Sequence, residues 1–150
     1  MPHKTDMQVA LISGGTSGIG MATAELLLKQ GWCVVINGRH EKDGQRAALK
    51  LRRFSSKVRF VAGDVSKVDD CKRIVKQTVD MFGDISALVT AAGYYEEELL
   101  VDVTEQSFDE MFGTNVKGTV FLCQAALPYI RNTKGSIVTV SSDAGLQGNV

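Results

Sequence analysis

The sequence predicts an α/β protein whose core is a doubly wound parallel sheet. Short apolar runs alternate with longer stretches of helical periodicity along all 150 residues, which is typical of repeated βαβ units. A glycine-rich loop follows the first apolar run, where sheets of this kind bind ligands. The fourth run is apolar without alternation, as expected of a parallel strand that is covered on both faces.

Five apolar runs are the predicted strands, and amphipathic stretches between them are the predicted helices. The strands comprise residues 9–13, 33–37, 58–62, 85–92 and 136–140. The helix after the first strand begins near Ile19 and carries Thr23, Leu26 and Leu27 on the same face. Gly31 is its predicted C-terminal stop.

The remaining helices differ in how strongly they are marked. Residues 41–53 are charged apart from one apolar face, which predicts a surface helix. Ser66, followed by Asp69, predicts the N-cap of a helix that runs through Phe82. Since it has apolar residues at regular helical spacing, this helix is the most clearly marked in the sequence.

The last third of the chain begins with a predicted loop, residues 94–103. Thr104 is the predicted cap of a short helix that ends at Phe112, and residues 115–131 form a longer one. The longer helix is apolar on more than one face. It is therefore expected to be deeply buried or to lie in a subunit interface.

Composition indicates a single globular domain, residues 1–150, and excludes several functions. Lys plus Arg and Asp plus Glu number 17 each, so no net charge favours nucleic acid or an anionic membrane as a partner. The apolar run at residues 9–12 is too short for a signal-peptide core or a membrane span. A cytoplasmic location is the resulting expectation.

The three cysteines predict neither a disulfide framework nor a metal site. Cys33, Cys71 and Cys123 are widely spaced, odd in number and without a C-x-x-C pair. We expect them to be buried as small apolar groups.

The loop "SGGTSGIG" at residues 13–20 carries the first functional signal. Gly14, Gly18 and Gly20 give the spacing G-x-x-x-G-x-G between a predicted strand and a predicted helix. Unpaired N–H groups at the start of a helix, together with its dipole, attract a phosphate. A plain glycine turn is the alternative, and the position between strand and helix disfavours it.

Together with "LVTAAG", "NVKG" and "SIVTVSSDAG" further on, this loop resembles those of the short-chain dehydrogenases/reductases of classical type, such as 3-oxoacyl-carrier-protein reductase. The motifs span essentially all 150 residues in the family's order. The resemblance implies a Rossmann-like sheet with strand order 3-2-1-4-5 and a segment that lacks the family's C-terminal strands.

The resemblance also implies the cofactor contacts. The pyrophosphate would lie against Gly14, Gly15, Thr16, Ser17, Gly18, Ile19 and Gly20. Gly38 occupies the place of the acidic residue that holds the ribose of NAD, and Arg39 follows it, so we expect NADP, with NAD less favoured. The glycine loop itself holds no second basic residue, because position 17 is Ser.

Two further segments are implied to contact the cofactor. Asp64 and the Val65 backbone would lie against the adenine, although the same residues also suit an ordinary turn. Ala92 and Gly93 would pass beneath the cofactor, but Thr90 and Ala91 replace the family's two asparagines. The sequence therefore does not determine which groups link the neighbouring strands at that point.

Reduction of a carbonyl needs a hydrogen-bond donor to the carbonyl oxygen and a proton donor beside it. By resemblance, Ser142 is the first, in preference to Ser141, and Asn115 is the residue that kinks its helix and holds a water. Asn115 is also a candidate helix N-cap, and the alternative for the serine pair is a strand end satisfied by two hydroxyls.

The family's proton donor, a Tyr-x-x-x-Lys pair, is absent from these residues. Tyr94, Tyr95 and Tyr129 are followed four places later by Glu98, Leu99 and Thr133. The family places the pair beyond Val150, so we expect the segment to be truncated before that helix. The fifth strand would then be an exposed apolar edge.

These observations predict an NADP-dependent oxidoreductase that interconverts a ketone or aldehyde with an alcohol, the 150 residues alone being inactive. A non-catalytic nucleotide-binding module or sensor is the alternative, and the glycine spacing speaks against a nucleotide-sugar epimerase. The substrate is a small molecule that the sequence does not identify. The resemblance suggests a homodimer or homotetramer through helices 104–112 and 115–131, with Gly118 permitting close helix approach.

Overall fold

A computed structural model describes residues 7–147 and contains a five-stranded parallel sheet. The strands are β1 Val9–Ser13, β2 Cys33–Gly38, β3 Val58–Ala62, β4 Ala87–Thr90 and β5 Ser136–Thr139. Their order is β3-β2-β1-β4-β5, which confirms the predicted Rossmann-like topology. In the register, Ser13 lies between Asn37 and Thr90, so all three residues reach the carboxyl edge of the sheet together.

The helices cover both faces of this sheet. They are α1 Gly18–Lys29, α2 Glu41–Leu51, α3 Val68–Phe82, α4 Glu105–Phe112, α5 Thr119–Thr133 and the short α6 Ala144–Gln147. A π-helical segment, Gly113–Gly118, joins α4 to α5. One apolar cluster packs α3 and α5 against the sheet, and a second packs α1 and α2 against the other face. All five residues of β1 are consequently buried.

Two local predictions are wrong. On α1 the core-facing residues are Gly20, Ala24 and Leu28, whereas Ile19 is 64% and Leu26 is 56% exposed. Gly20 and Ala24 let the start of α1 approach the sheet closely, while Leu28 packs into the core near its end and Ile19 and Leu26 point away from it.

The second correction concerns the cap of α3. Lys67 is the N-cap, and no side chain caps the helix. Ser66 instead directs both its N–H and its hydroxyl to Oδ1 of Asp64, at 3.0 and 2.8 Å. Ser66 therefore bonds to the nearby carboxylate of Asp64 and is not the helix cap that the S-x-x-D pattern had predicted.

The predicted helices 104–112 and 115–131 form one continuous helical stretch. Thr104 begins it with a capping box in which its side chain and that of Ser107 each accept the other's backbone N–H. Asn115 lies inside the π segment, so the alternative interpretation of this residue as an N-cap is wrong. The π segment is instead consistent with the helix distortion that the resemblance implied at this position.

Gly118 is buried within the chain and is not free for a subunit contact. A Cβ at this position would lie 2.9 Å from Cγ2 of Val65. The close approach at Gly118 thus joins the π segment to the turn after β3, and the predicted subunit contact stays a prediction.

The edge strand and the cysteines follow the sequence expectations in part. In β5, Val138 is 53% exposed, so one side of this strand is uncovered.

Cys33 and Cys71 are buried, and Cys123 is half-buried. Burial raises the pKa of each thiol, that of Cys71 to about 11, which keeps these groups protonated and unreactive.

Within residues 7–147, no helix combines the length and the apolar content that crossing a bilayer requires. The same part of the chain holds no group of three or more His, Cys, Asp or Glu side chains arranged to bind a metal ion. The cytoplasmic location stays a prediction from the sequence.

Candidate active site

The loop between β1 and α1 packs directly on the ends of two neighbouring strands. A Cβ at Gly14 would lie 2.5 Å from the carbonyl oxygen of Ala91, and one at Gly20 would lie 2.4 Å from that of Gly14. Gly15 donates its N–H to the carbonyl of Asn37 at 3.0 Å. Glycine is required where backbone meets backbone at these distances, so the loop is closely fitted to the sheet.

Gly18 differs from these glycines because the space beside it is open. Its φ is +50°, and a Cβ there would meet no atom within 4 Å. The N–H groups of Gly18, Ile19 and Gly20 open α1, and within residues 7–147 none of them donates a hydrogen bond. Ser17, the N-cap, makes no capping bond with its side chain either. Donors at the positive end of a helix beside open space fit a pyrophosphate.

The end of β2 carries a glycine that is followed by a cation, Gly38 and Arg39. A Cβ at Gly38 would lie 2.7 Å from Cγ2 of Thr16, so a longer side chain there would displace the threonine. Arg39 is exposed and makes no ion pair or hydrogen bond to any residue in the described range. An unpaired guanidinium is well suited to bind a phosphate.

Two cations that the sequence analysis did not single out lie beside the glycine loop. Arg46 and Lys50 of α2 line a cleft of about 250 Å³ together with Thr16 and Ser17. Arg46 is only loosely paired, with 4.0 Å between its Nη1 and Oδ1 of Asp43. The i, i+4 spacing of the two cations and the closeness of α2 to the loop could have indicated them.

The turn after β3 presents one acceptor and one donor. Oδ1 of Asp64 is occupied by Ser66, but Oδ2 accepts no hydrogen bond within residues 7–147. The N–H of Val65 also lacks a partner in that range. An acceptor next to a donor matches the amino group and ring nitrogen on one edge of adenine.

The backbone after β4 is held from two sides. Oδ1 of Asn115 accepts the Tyr94 N–H and its Nδ2 donates to the Tyr94 carbonyl, both at 2.8 Å. On the other side, the Ala92 N–H donates to Oγ of Ser13 at 3.3 Å. Gly93 therefore lies between two anchored residues, Ala92 and Tyr94.

The asparagines that the family pattern places after β4 are replaced by other ties. Ser13, which is buried, links β1 to the backbone beyond β4. Asn37, also buried, donates to the carbonyls of Val61 and Gly63 at 3.0 and 3.1 Å and so links β2 to the end of β3. Thr90 is 3% exposed, and its hydroxyl has no partner in the described part of the chain. Sequence reasoning missed Ser13 and Asn37, although each is a polar residue at the end of an apolar strand.

A cleft of about 870 Å³ opens at this edge of the sheet. It is lined by Arg39, Asp64, Ser66, Tyr94, Thr104, Glu105, Gln106, Asp109, Glu110 and Thr114. The structure thus brings together the predicted residues after β2 and β3. Ser142 does not line this cleft.

Ser142 lies at the same carboxyl edge, just after β5, and is exposed. Its Oγ accepts the Ala144 N–H at 3.2 Å and lies 3.4 Å from Oδ1 of Asp143. The bond to Asp143 is too long to be strong. The hydroxyl proton of Ser142 is therefore available to another acceptor.

Tyr94 is unsuited to be a proton donor in the reaction. Its hydroxyl donates to the carboxylate of Glu96, and this hydrogen bond raises the pKa of Tyr94 to about 12. A catalytic tyrosine needs a lowered pKa, which a neighbouring cation provides. Tyr94 has a carboxylate beside it in place of a cation, so its pKa is raised and not lowered.

A glycine-rich turn into a helix, at the carboxyl edge of a parallel sheet ordered 3-2-1-4-5, defines a dinucleotide-binding α/β protein. Nothing in this site is specific to one reaction. A family model described as short chain dehydrogenase matches residues 8–150. The chain belongs to the short-chain dehydrogenase family.

Curated relatives are identical to this chain at about a third of the aligned residues. An 11-beta-hydroxysteroid dehydrogenase A of Sesamum indicum is 37% identical over 139 residues, which are 91% of this chain and 40% of the relative. The 3-oxoacyl-[acyl-carrier-protein] reductase FabG of Staphylococcus epidermidis is 32% identical over 142 residues, 93% of this chain and 58% of the relative. The chain thus spans about half the length of the curated relatives it matches.

Solved structures agree with the fold and bind nicotinamide cofactors of both kinds. The NADH-dependent reductase A1-R′, solved with NAD, has a TM-score of 0.89 at 26% identity, and the match covers 96% of this chain and 63% of that protein. ElxO, solved with NADP, has a TM-score of 0.86 at 30% identity and covers 95% and 58%. These neighbours support a nicotinamide cofactor without deciding which one.

Proposed function

We propose that these residues form the cofactor-binding part of an NADP-dependent oxidoreductase that interconverts a ketone or aldehyde with an alcohol. The open space beside Gly18, faced by three unpaired N–H groups, carries the proposal, since it fits a pyrophosphate. The bound nicotinamide would supply the hydride. The chain's own residues would bind and orient the cofactor and the carbonyl.

The preference for NADP rests on charge at the end of β2. Gly38 supplies no carboxylate for a ribose diol, and Arg39 is free to pair with a 2′-phosphate. Arg46 and Lys50 add positive charge to the small cleft beside Thr16, against one carboxylate there, Asp43. They offset the lack of a basic residue within the glycine loop.

In the reaction, Ser142 would donate a hydrogen bond to the carbonyl oxygen as negative charge develops there. Asn115 would act indirectly, because its two bonds to Tyr94 hold the backbone on which the nicotinamide end would rest. The proton donor is proposed to be a Tyr-x-x-x-Lys pair outside these 150 residues, since no tyrosine here is followed by such a lysine.

A second candidate is a nucleotide-binding module without catalysis. Such a module would use the same glycine loop to bind the nucleotide and would need no proton donor. Both candidates predict cofactor binding, and only the first predicts turnover once the remaining site is present.

The test measures NADPH and NADH affinity for the 150-residue protein by fluorescence. NADPH is expected to bind more tightly, and Arg39→Asp is expected to reverse the preference. Arg52→Asp, at the far end of α2, is the matched charge control. If the ratio of NADPH affinity to NADH affinity is the same in the Arg39 variant and in the control, the NADP assignment is refuted. If the protein does not bind NADPH at all, the proposed function itself is refuted.

Association with a second copy of the chain is also part of the proposal. Phe108, Phe112, Val116 and Val120, here called the exposed stripe, follow one another at i, i+4 spacing and are each about half exposed. The rings of Phe108 and Phe112 stack with centroids 4.2 Å apart. A contiguous apolar surface of this kind is typical of a subunit interface.

Sedimentation velocity tests this association. Val120→Glu is expected to shift the protein to monomer, while Leu49→Glu, at an exposed apolar residue of α2 outside the stripe, leaves its mass unchanged. A Val120 variant that sediments like the wild type would exclude the stripe as the interface.

A further inference from the structure

The turn after β3 has nearly every backbone polar group committed to a partner. The Gly63 N–H bonds the Gly38 carbonyl at 3.0 Å, and the Asp64 carbonyl accepts the Lys67 N–H at 3.0 Å. The carbonyl of Val65 accepts the Cys71 thiol at 3.1 Å. Among the N–H groups of residues 63–66, only that of Val65 has no acceptor within residues 7–147.

Asp70 and Arg73 fasten this turn to the first turns of α3. Oδ2 of Asp70 accepts the Asp64 N–H at 2.7 Å, while its Oδ1 accepts from Nη2 of Arg73, also at 2.7 Å. Nη1 of Arg73 donates to the carbonyl of Ala62 at 2.9 Å. One carboxylate and one guanidinium therefore connect the end of β3, the turn and the helix.

The charges and the packing favour this arrangement. The side chain of Asp70 is 26% exposed, and Arg73, with the Asp64 N–H, holds the pKa of that carboxyl below its usual range. Asp70 lies in the first turn of α3, where the helix dipole favours negative charge. Behind the turn, Val65 packs against Gly118, so the turn cannot move in that direction without a clash.

The bond from Asp70 also determines which groups remain for a ligand. Because Asp70 takes the Asp64 N–H and Ser66 takes Oδ1 of Asp64, Oδ2 of Asp64 and the Val65 N–H are left unpaired in the described range. Asp64 lines the large cleft. The two unpaired groups come from consecutive residues of one fixed turn.

We infer that Asp70 and Arg73 are positioning residues for a 6-aminopurine: they hold the turn so that Asp64 Oδ2 can accept from its amino group while Val65 N–H donates to its ring. This inference rests on the proposed function. It goes further in naming two residues that touch no cofactor atom and yet set discrimination between bases.

The experiment compares ADP with inosine diphosphate, which carries a carbonyl oxygen in place of the amino group. Isothermal titration of the 150-residue protein is expected to show tighter binding of ADP. Asp70→Ala is expected to weaken ADP binding roughly tenfold, the order for one lost charge-assisted hydrogen bond, and to leave inosine diphosphate nearly unchanged. The ratio of the two affinities should therefore fall towards one.

Asp69→Ala is the matched control, since Asp69 lies in the same helical turn, has a fully exposed side chain and reaches only Lys72, at 3.8 Å. Asp70→Asn, which keeps an acceptor for the Asp64 N–H, is expected to retain part of the discrimination. If Asp70→Ala does not fold, Asp70→Asn and Arg73→Gln decide the question through the same ratio.

Two results would overturn the inference in distinguishable ways. If the Asp70 and Arg73 variants keep the wild-type ratio of ADP affinity to inosine diphosphate affinity, these residues have no positioning role, and the proposed function is unaffected. A wild-type protein that binds neither diphosphate removes the proposed function, and the inference with it.

Discussion

Replacing Gly18 with alanine separates the stability of the glycine loop from its ligand binding. At φ +50° an alanine is strained, and left-handed backbone costs roughly 1–2 kcal/mol for a residue with a Cβ. No atom of the protein lies within 4 Å of the added methyl group, so no steric term adds to this cost. For a chain of this size the melting temperature is expected to fall by about 2–8 °C.

The loss of ligand affinity is expected to be larger than the strain alone suggests. The methyl group would enter the space that fits the pyrophosphate, and overpacking of one such group costs roughly 1–3 kcal/mol. This corresponds to about 5- to 160-fold weaker binding of NADPH. Fluorescence titration with NADPH, alongside a thermal melt, measures both effects on one sample.

Gly31→Ala provides the matched control. Gly31 also has positive φ, at +88°, and open space around its Cβ position, but it follows the opposite end of α1. Its alanine variant is expected to lose similar stability and no affinity. If both variants bind NADPH as the wild type does, the loop does not bind the pyrophosphate, and the reasoning from Gly18 fails.

Three further changes test other parts of the site. Glu96→Gln is expected to lower the pKa of Tyr94 from about 12 towards its ordinary value of about 10, since the amide carries no charge; an unchanged tyrosinate titration by ultraviolet absorbance would contradict this. Asn115→Ala removes two hydrogen bonds of 2.8 Å and is expected to lower the free energy of unfolding, measured in urea, by about 2 kcal/mol. An unchanged free energy of unfolding would show that other groups hold the loop after β4. Gly118→Ala places a Cβ 2.9 Å from a neighbouring side chain, so roughly 1–3 kcal/mol should be lost, and wild-type stability would show that this contact is absent in solution.

The fold was predictable from the sequence because burial on both faces leaves a plain signal. All of β1 is buried, so its apolar run does not alternate, and the same holds for most of β2. The packing of α1 was not predictable in the same way. Its sequence is apolar on several faces, and the choice of Gly20, Ala24 and Leu28 as the inner face depends on how closely the sheet lets the helix approach.

The candidate site was predictable where glycines indicate the backbone conformation. It was less predictable where side chains form hydrogen bonds between different strands. The ties made by Ser13 and Asn37 link residues far apart in sequence, through strand neighbours that only the topology brings together. Ser66 shows the limit of a local pattern. Its S-x-x-D spacing predicted a cap, but Asp64, two residues earlier, accepts both of its donors.

The π segment Gly113–Gly118 is the place where the long helical stretch can best accommodate a change in length. In an α-helix, four residues turn about 400°, so residues spaced by four drift sideways by about 40° at each step. The wider turns of a π segment rotate less per residue and reduce this drift, which keeps the exposed stripe from Phe108 to Val120 closer to one line. Because a π turn holds about one residue more than an α turn, deleting a single residue here would convert the segment to α-helix and leave α5 close to its present orientation, whereas a deletion inside α4 or α5 would rotate the residues beyond it by about 100°.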